Sequence, residues 1–314
     1  MLTVGWEDRP ATEAEMNLTP TEQGVVLALA AAMKQDPYAA KPLAGPVTVA
    51  TIYDKPTLRT QASFSSGIAE LGGHSMLVDG RLAGIGERES VADVARVLGR
   101  QAGEIVWRTF AQRDLEEMAA HSGVPVVNAL TDDFHPCQLL ADLQTLREHK
   151  GALSGLTAAF LGDAACNMGN SWALAGATAG MHVRFGAPEG YAPDADVLVR
   201  AKEIAEETGG SVTVTSDPVA AASGADVLIT DTWVSMGKES EAAARVEVFS
   251  PYALTTELLG HADPEAVVLH CLPAYRGKEI EAEVLDGPQS LVWDEAENRR
   301  HAQKAILAFL WERR

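Results

Sequence analysis

Apolar residues recur along this chain in short blocks whose period keeps changing. Residues 47–53 form a compact apolar run of strand length. Ala62, Ile68 and Leu71 then keep helical spacing until Gly72-Gly73. The alternation repeats: 74–78, 104–108 and 124–129 read as strands, while 91–98, 115–120 and the stretch through Leu139, Leu143 and Leu146 read as helices. Residues 80–88 read as an exposed loop. A second series starts with 156–161 and continues through 183–187, 212–215, 227–230 and 266–269, with helices between. One of these, 195–207, is stopped by Gly209-Gly210. Strands alternating with helices at this interval predict parallel βαβ units. Thr19-Pro20-Thr21-Glu22 predicts a helix start with a capping box, and an amphipathic helix is expected over 302–310. Residues 1–16 have little pattern and are expected to form an extended lead-in. Composition shifts at His149-Lys150-Gly151, which places a domain boundary there, and the pattern on both sides of it predicts an α/β protein with parallel sheets.

Charge narrows the partners. The chain has 25 Lys and Arg against 44 Asp and Glu, a net charge of −19. That argues against nucleic acid or an anionic membrane as partner, and an anionic substrate would need a locally basic pocket. Cys137, Cys166 and Cys271 are an odd number without C-x-x-C spacing, which suits a reducing cytoplasm and gives no metal framework. No signal peptide is expected, and no apolar run is long enough to span a bilayer.

Polar groups gather where the predicted strands end. Asp54-Lys55-Pro56-Thr57-Leu58-Arg59-Thr60-Gln61 joins the first strand to the following helix. Free N–H groups at such a turn can bind phosphate, and two threonine hydroxyls and Arg59 add donors and a fixed charge. The same residues would also serve an ordinary capped helix with a solvated arginine. The absence of a Gly-rich P-loop and its lysine turns the reading away from a nucleotide. In Phe134-His135-Pro136-Cys137-Gln138, His135 and Gln138 are three apart at a helix entry and share a face. They suit a carbonyl or amide, or else they are a capping His beside a surface Gln. The turn 162–170 lacks G-x-G-x-x-G, so a dinucleotide is weakly supported. Asp231-Thr232-Trp233-Val234-Ser235-Met236-Gly237 and His270-Cys271-Leu272-Pro273 follow the last strands, where open α/β sheets bind ligands. Asp231 suits an ammonium group or a turn cap. The Cys271 sulfur reads first as a small buried hydrophobe, with function assigned to the backbone carbonyls beside it. Arg299, near the expected start of the last helix, opposes its dipole; it is either a surface charge or placed for an anion.

In order and spacing, K-P-T-L-R-T (55–60), W-R-T (107–109), F-H-P-C-Q, D-T-W-V-S-M-G and H-C-L-P together resemble the aspartate/ornithine carbamoyltransferase superfamily. The D-x-W-x-S-M-G element, with H-C-L-P and D-E-A-E-N-R (294–299), is similar to its ornithine carbamoyltransferase branch. The resemblance covers nearly the whole chain. It implies the carbamoyltransferase fold of two parallel-sheet α/β domains: a carbamoyl phosphate domain (1–149), an ornithine domain (150–297), and a final helix (298–314) returning to pack on the first. It also implies a cytoplasmic homotrimer of arginine biosynthesis. The reaction would be carbamoyl phosphate plus L-ornithine giving L-citrulline and phosphate, with no cofactor and no metal. On this resemblance Thr57, Leu58, Arg59, Thr60 and Arg108 hold the phosphate. His135 and Gln138 bind the carbamoyl end, and Arg299 adds charge near the leaving group. Asn167, Asp231, Ser235 and Met236 grip the amino-acid end of ornithine, while Cys271 and Leu272 orient its δ-amine and border the carbamoyl group. Arg59, Arg108, His135, Gln138, Cys271 and Arg299 are the implied catalytic set.

Some positions depart from the family pattern. The phosphate turn usually reads S-T-R-T-R; here Leu58 replaces a hydroxyl and Gln61 the second arginine. A charge-assisted donor lost from phosphate costs about 1.5–3 kcal/mol. Gly84 stands where the family usually carries Gln. The G-D-A-R-N-N-M pattern has become Gly162-Asp163-Ala164-Ala165-Cys166-Asn167-Met168. The changes cluster on the carbamoyl phosphate side. They keep two alternatives in view: a paralogue with another amine acceptor, and a catalytically silent member.

Overall fold

A computed structural model of the chain describes residues 18–234 and 241–314. These form two compact units, one running to Gln144 and completed by Glu297–Arg314, the other Thr145–Ala296. The expected lead-in over 1–16 lies outside the described residues, apart from the Thr19 helix start that follows it. That helix, Pro20–Gln35, begins with the predicted capping box: the Thr19 hydroxyl accepts from Glu22 N, and Glu22 reaches back to Thr19 N at 2.9 Å.

The first unit is built on four parallel strands, β1 (Thr48–Tyr53), β2 (His74–Asp79), β3 (Glu104–Arg108) and β4 (Val126–Leu130), in the order β2-β1-β3-β4. β1, β3 and β4 are covered on both faces and almost wholly buried, which is why they read as unbroken apolar runs. β2 lies at the edge and has only exposed and half-buried positions. Ile52, Ile105, Trp107, Leu115, Met118 and Val126 form a core between the sheet and its helices. The second unit has five parallel strands, β5 (Thr157–Leu161), β6 (His182–Gly186), β7 (Ser211–Thr215), β8 (Val227–Thr230) and β9 (Val267–Leu269), ordered β7-β6-β5-β8-β9.

In each sheet the order reverses once, between β1 and β3 and between β5 and β8. Connections leave such a point toward opposite faces and open a crevice at the carboxyl ends of the strands. Candidate residues of the sequence follow β1, β3, β4, β5, β8 and β9, and Arg299 lies in the last helix. Two elements differ from expectation. Residues 80–88 are not all loop: Gly80–Ala83 is a short helix whose start Asp79 caps, accepting from Leu82 N. The last helix runs Val292–Trp311, ten residues earlier than its apolar pattern suggested, because its first turns carry the acidic residues that favour a helix N-terminus. Arg299 therefore sits two turns inside the helix rather than at its start. From Glu297 onward this helix belongs to the first unit, where Ile306, Leu307, Phe309 and Leu310 are buried.

Candidate active site

In the first unit the turn after β1 leads into the helix Arg59–Glu70. Its N-cap is Leu58, 80% exposed, in a helical conformation and making no side-chain cap bond. An ordinary capped helix is thus not what forms here. The nearest substitute is Thr57 Oγ1, which accepts from Thr60 N at 3.4 Å, the long end of the range. Arg59 is half-buried in the first turn and Thr60 is fully buried. The Thr60 hydroxyl accepts from Arg108 Nη1 and from Arg299 Nη2, each at 3.1 Å. Two guanidinium groups from distant parts of the chain are thereby fixed on one oxygen. Arg108 ends β3, where a register shift against β4 after Trp107 lets the last residue turn away from the regular pleat.

His135 and Gln138, at the entry of the helix Pro136–Lys150, are both buried, so the surface alternative does not hold. Gln138 Nε2 donates to Asp142 Oδ1 at 2.8 Å. His135 is held well below the usual histidine range, first by burial and then by Arg299, Arg108, Arg59 and Lys55. A neutral imidazole amid four cations is a place where an anion relieves repulsion and an uncharged polar group can still be bound. Cys137 is buried, donates to Asn128 O at 3.3 Å, and burial pushes its thiol up to about 12, which removes it as a nucleophile.

Sequence reading passed over two residues of this turn. Lys55 pairs with Asp132 at 2.5 Å and lies 4.5 Å from the Phe110 ring. Asp54 accepts from Trp107 Nε1 at 2.8 Å, and burial raises its carboxyl pKa. Both stand in the motif that drew attention to Arg59, so their position was a usable signal. Gln61 is half-buried in the first helical turn. Gly84 ends the short helix with φ 64°, a left-handed conformation that explains a glycine there.

In the second unit Asp231 follows β8, half-buried. Its Oδ1 accepts from Thr232 N at 2.7 Å and from Cys271 Sγ at 3.2 Å. Cys271 is therefore not the fully buried hydrophobe expected of its sulfur; it is half-buried and bonded to a carboxylate. Leu272 follows with φ 58°, and its N–H donates to His270 Nδ1 at 2.9 Å. Metal-ligand atoms of Asp231, His270 and Cys271 lie within 4.8 Å of one another. The thiol already donates to Asp231 within the group, and His270 Nδ1 already accepts from Leu272 N. Asn167 begins the helix Asn167–Thr178 and is half-buried. That helix enters tightly against the turn after β5: a Cβ on Gly169 would lie 2.0 Å from the Ala164 carbonyl oxygen. Arg245, which the sequence did not mark, is buried; it bonds Asp163 and the Trp233 carbonyl and so braces the turn after β8. Ser235 and Met236 lie outside the described residues.

Thus the first unit gathers Thr60, Arg108, Arg299, His135 and Gln138 in its interior beside Arg59, and the second gathers Asp231, Cys271 and Leu272. The chain as a whole is similar to known proteins. Residues 14–148 match the family model "Aspartate/ornithine carbamoyltransferase, carbamoyl-P binding domain", and residues 154–310 match its "Asp/Orn binding domain". A curated relative from Renibacterium salmoninarum, named ornithine carbamoyltransferase, is 60% identical over 95% of this chain and 97% of its own length. The solved ornithine carbamoyltransferase from Pyrococcus furiosus superposes with a TM-score of 0.90 at 40% identity, covering 94% of each chain. The anabolic ornithine carbamoyltransferase from Campylobacter jejuni gives 0.89 at 32% identity, covering 95% of this chain and 97% of that one.

Proposed function

Because the chain belongs to the aspartate/ornithine carbamoyltransferase family, we propose that it transfers the carbamoyl group of carbamoyl phosphate to the δ-amine of L-ornithine, giving L-citrulline and phosphate. The observation that carries the first substrate is the pair of guanidinium groups on Thr60 Oγ1 beside neutral, buried His135. In a chain of net charge −19 that concentration of cations suits a dianion. The acceptor follows from family membership together with the intact D-T-W-V-S-M-G and H-C-L-P elements. They speak against the paralogue, and the retained Arg59, Arg108, His135, Gln138 and Arg299 speak against a silent member.

The roles divide by unit. Thr57, Arg59 and Thr60, with Arg108 and Arg299, hold the phosphate: charge-assisted hydrogen bonds are the strong ones, and helix N–H groups add to them. Leu58 contributes only its backbone, since its side chain points to solvent. His135 and Gln138 bind the carbamoyl oxygen and amide. Asp231 takes the α-ammonium group of ornithine, with Asn167, Ser235 and Met236 alongside, and Cys271 and Leu272 orient the δ-amine. The neutral amine attacks the carbamoyl carbon, a C–N bond forms, an oxyanion develops on the carbonyl oxygen, and the C–O bond to phosphate breaks. The amine proton leaves before or with phosphate. Fixed arginines and polar groups lower the barrier by stabilising the oxyanion and the departing phosphate. We further assign the protein to arginine biosynthesis in the cytoplasm as a homotrimer. Among the described residues no helix is long and apolar enough to cross a membrane.

The test is citrulline formation from carbamoyl phosphate and L-ornithine, run beside lysine, putrescine and N-acetylornithine, with molar mass measured by light scattering. Turnover with ornithine far above the other amines is expected. Phosphate release with another amine and none with ornithine would establish the paralogue.

A further inference from the structure

The turn His270-Cys271-Leu272-Pro273 is held by groups that have no place in the bond changes above. Leu272 has φ 58°, a left-handed conformation that is strained for an L-residue. Neighbouring groups must offset that strain. His270 N donates to Glu295 Oε2 at 2.9 Å, and Leu272 N donates to His270 Nδ1 at 2.9 Å. An Nδ1 that accepts carries no proton, so the neutral ring bears its proton on Nε2. That nitrogen faces Glu279 Oε1 at 3.4 Å, in ion-pair range but outside good hydrogen-bond geometry. The carboxylate is itself fixed by Tyr275 N, which donates to Oε1 at 2.5 Å. His270, Glu279 and Glu295 are all about 1% exposed.

The chemistry selects one state. A carboxylate opposite Nε2 favours the tautomer with the proton there, and only that tautomer leaves Nδ1 able to accept from Leu272. The other tautomer would aim one N–H at another inside a closed site. The strained Leu272 backbone would then lose its anchor, and with it the aim of the Cys271 and Leu272 carbonyls.

We propose that Glu279 and His270 are positioning residues of the transfer reaction: Glu279 sets the His270 tautomer, and His270 holds the turn that presents the Cys271 and Leu272 backbone to the attacking amine. This rests on the ornithine-transfer reading and names the residues that order its acceptor side. E279M keeps the volume but removes the oxygen that faces Nε2 and accepts from Tyr275 N, so nothing favours the proton on Nε2 and the wrong tautomer becomes accessible. Misplacing reacting groups by about 1 Å costs on the order of 100-fold, and that is the drop expected in kcat/KM for ornithine. The KM for carbamoyl phosphate, whose charge contacts lie in the first unit, stays near the wild-type value. H270N supplies an amide oxygen near the Nδ1 position whatever residue 279 is, so the double variant H270N/E279M should regain much of the loss.

The 15N spectrum of histidine-labelled wild-type protein gives an independent readout, expected to show His270 as the neutral Nε2–H tautomer. An Nδ1–H tautomer or an imidazolium at neutral pH would overturn the proposal. So would an E279M enzyme with wild-type ornithine kinetics, or one that loses carbamoyl phosphate binding equally and is not rescued by H270N. If E279M does not fold, the wild-type spectrum decides. A wild-type protein that forms no citrulline would contradict the activity reading alone, since the tautomer is still read from the same spectrum.

Discussion

Thr60 draws two arginines of the first unit onto one oxygen. Its hydroxyl accepts from Arg108 and Arg299 at 3.1 Å each, fully buried. Thr60→Val keeps the volume but leaves two guanidinium N–H groups without that acceptor. Hydrogen bonds to charged groups are worth about 1.5–3 kcal/mol, so KM for carbamoyl phosphate should rise by one to two orders of magnitude, with ornithine saturation little changed. Initial-rate kinetics with each substrate varied will check this; equal losses on both substrates would contradict it. Much of the site was legible at this scale because its residues stand in short motifs at strand ends, as Thr57 to Thr60 and His135 to Gln138 do. The Thr60–Arg299 contact was not legible, since the partners are 239 positions apart. Nor was Glu279, whose role depends on which ring nitrogen it faces. Cys271 was misjudged because its partner, Asp231, is 40 residues away.

At the scale of elements, the last helix decides where Arg299 stands. Its apolar pattern shows only from residue 302, because the preceding turns bury Glu295, Asn298 and Arg299 in polar contacts rather than an apolar stripe. Lys304, fully buried, donates to Glu70 Oε2 and Pro37 O at 2.7 Å each, and Arg300 lies 3.3 Å from Glu70 Oε1. Glu70→Ala leaves the Lys304 ammonium buried without its carboxylate. Breaking a buried pair in this way costs about 3–5 kcal/mol, so chemical denaturation should show a loss of that order; a change within error would contradict the pairing. His301, on the same helix, has its pKa lowered to about 4, first by burial and then by Arg300 and Lys304. The unfolded chain binds that proton near the ordinary value of about 6.5. Stability contributed here is therefore complete above that pH and is lost as pH falls toward 4. Melting temperatures between pH 7 and 4.5 should fall less for His301→Gln than for wild type. Glu104, at the start of β3, works the other way. Both its oxygens are buried without a hydrogen-bond partner, and burial holds its pKa well above the usual carboxylate range. The folded state keeps a proton that the unfolded state releases above about pH 4.5, so stability declines as pH rises from there toward the folded pKa. Glu104→Gln should melt above wild type at pH 8, by a margin that shrinks on acidification.

At the scale of the whole molecule, two all-parallel sheets follow from the alternation of apolar runs with helical segments, and each reverses strand order once. Periodicity fixed which segments are strands. It could not fix strand order, because the parallel pairings β1–β3 and β5–β8 join runs far apart in sequence. The switch points then account for the chemistry appearing at the ends of these strands. The acceptor amine must be neutral to attack, so the rate should rise with pH through neutrality. His135 adds no acid limb near its ordinary value, because its pKa is held well below it. The most direct measurement uses carbamoyl phosphate labelled with 13C at the carbamoyl carbon, incubated with L-ornithine and the purified protein and followed by NMR. Carbamoyl transfer requires the label to appear in the ureido carbon of citrulline, one phosphate released per citrulline, at a rate that climbs between pH 6 and 9. Label that leaves only as bicarbonate, or that reaches another amine in preference to ornithine, would contradict it.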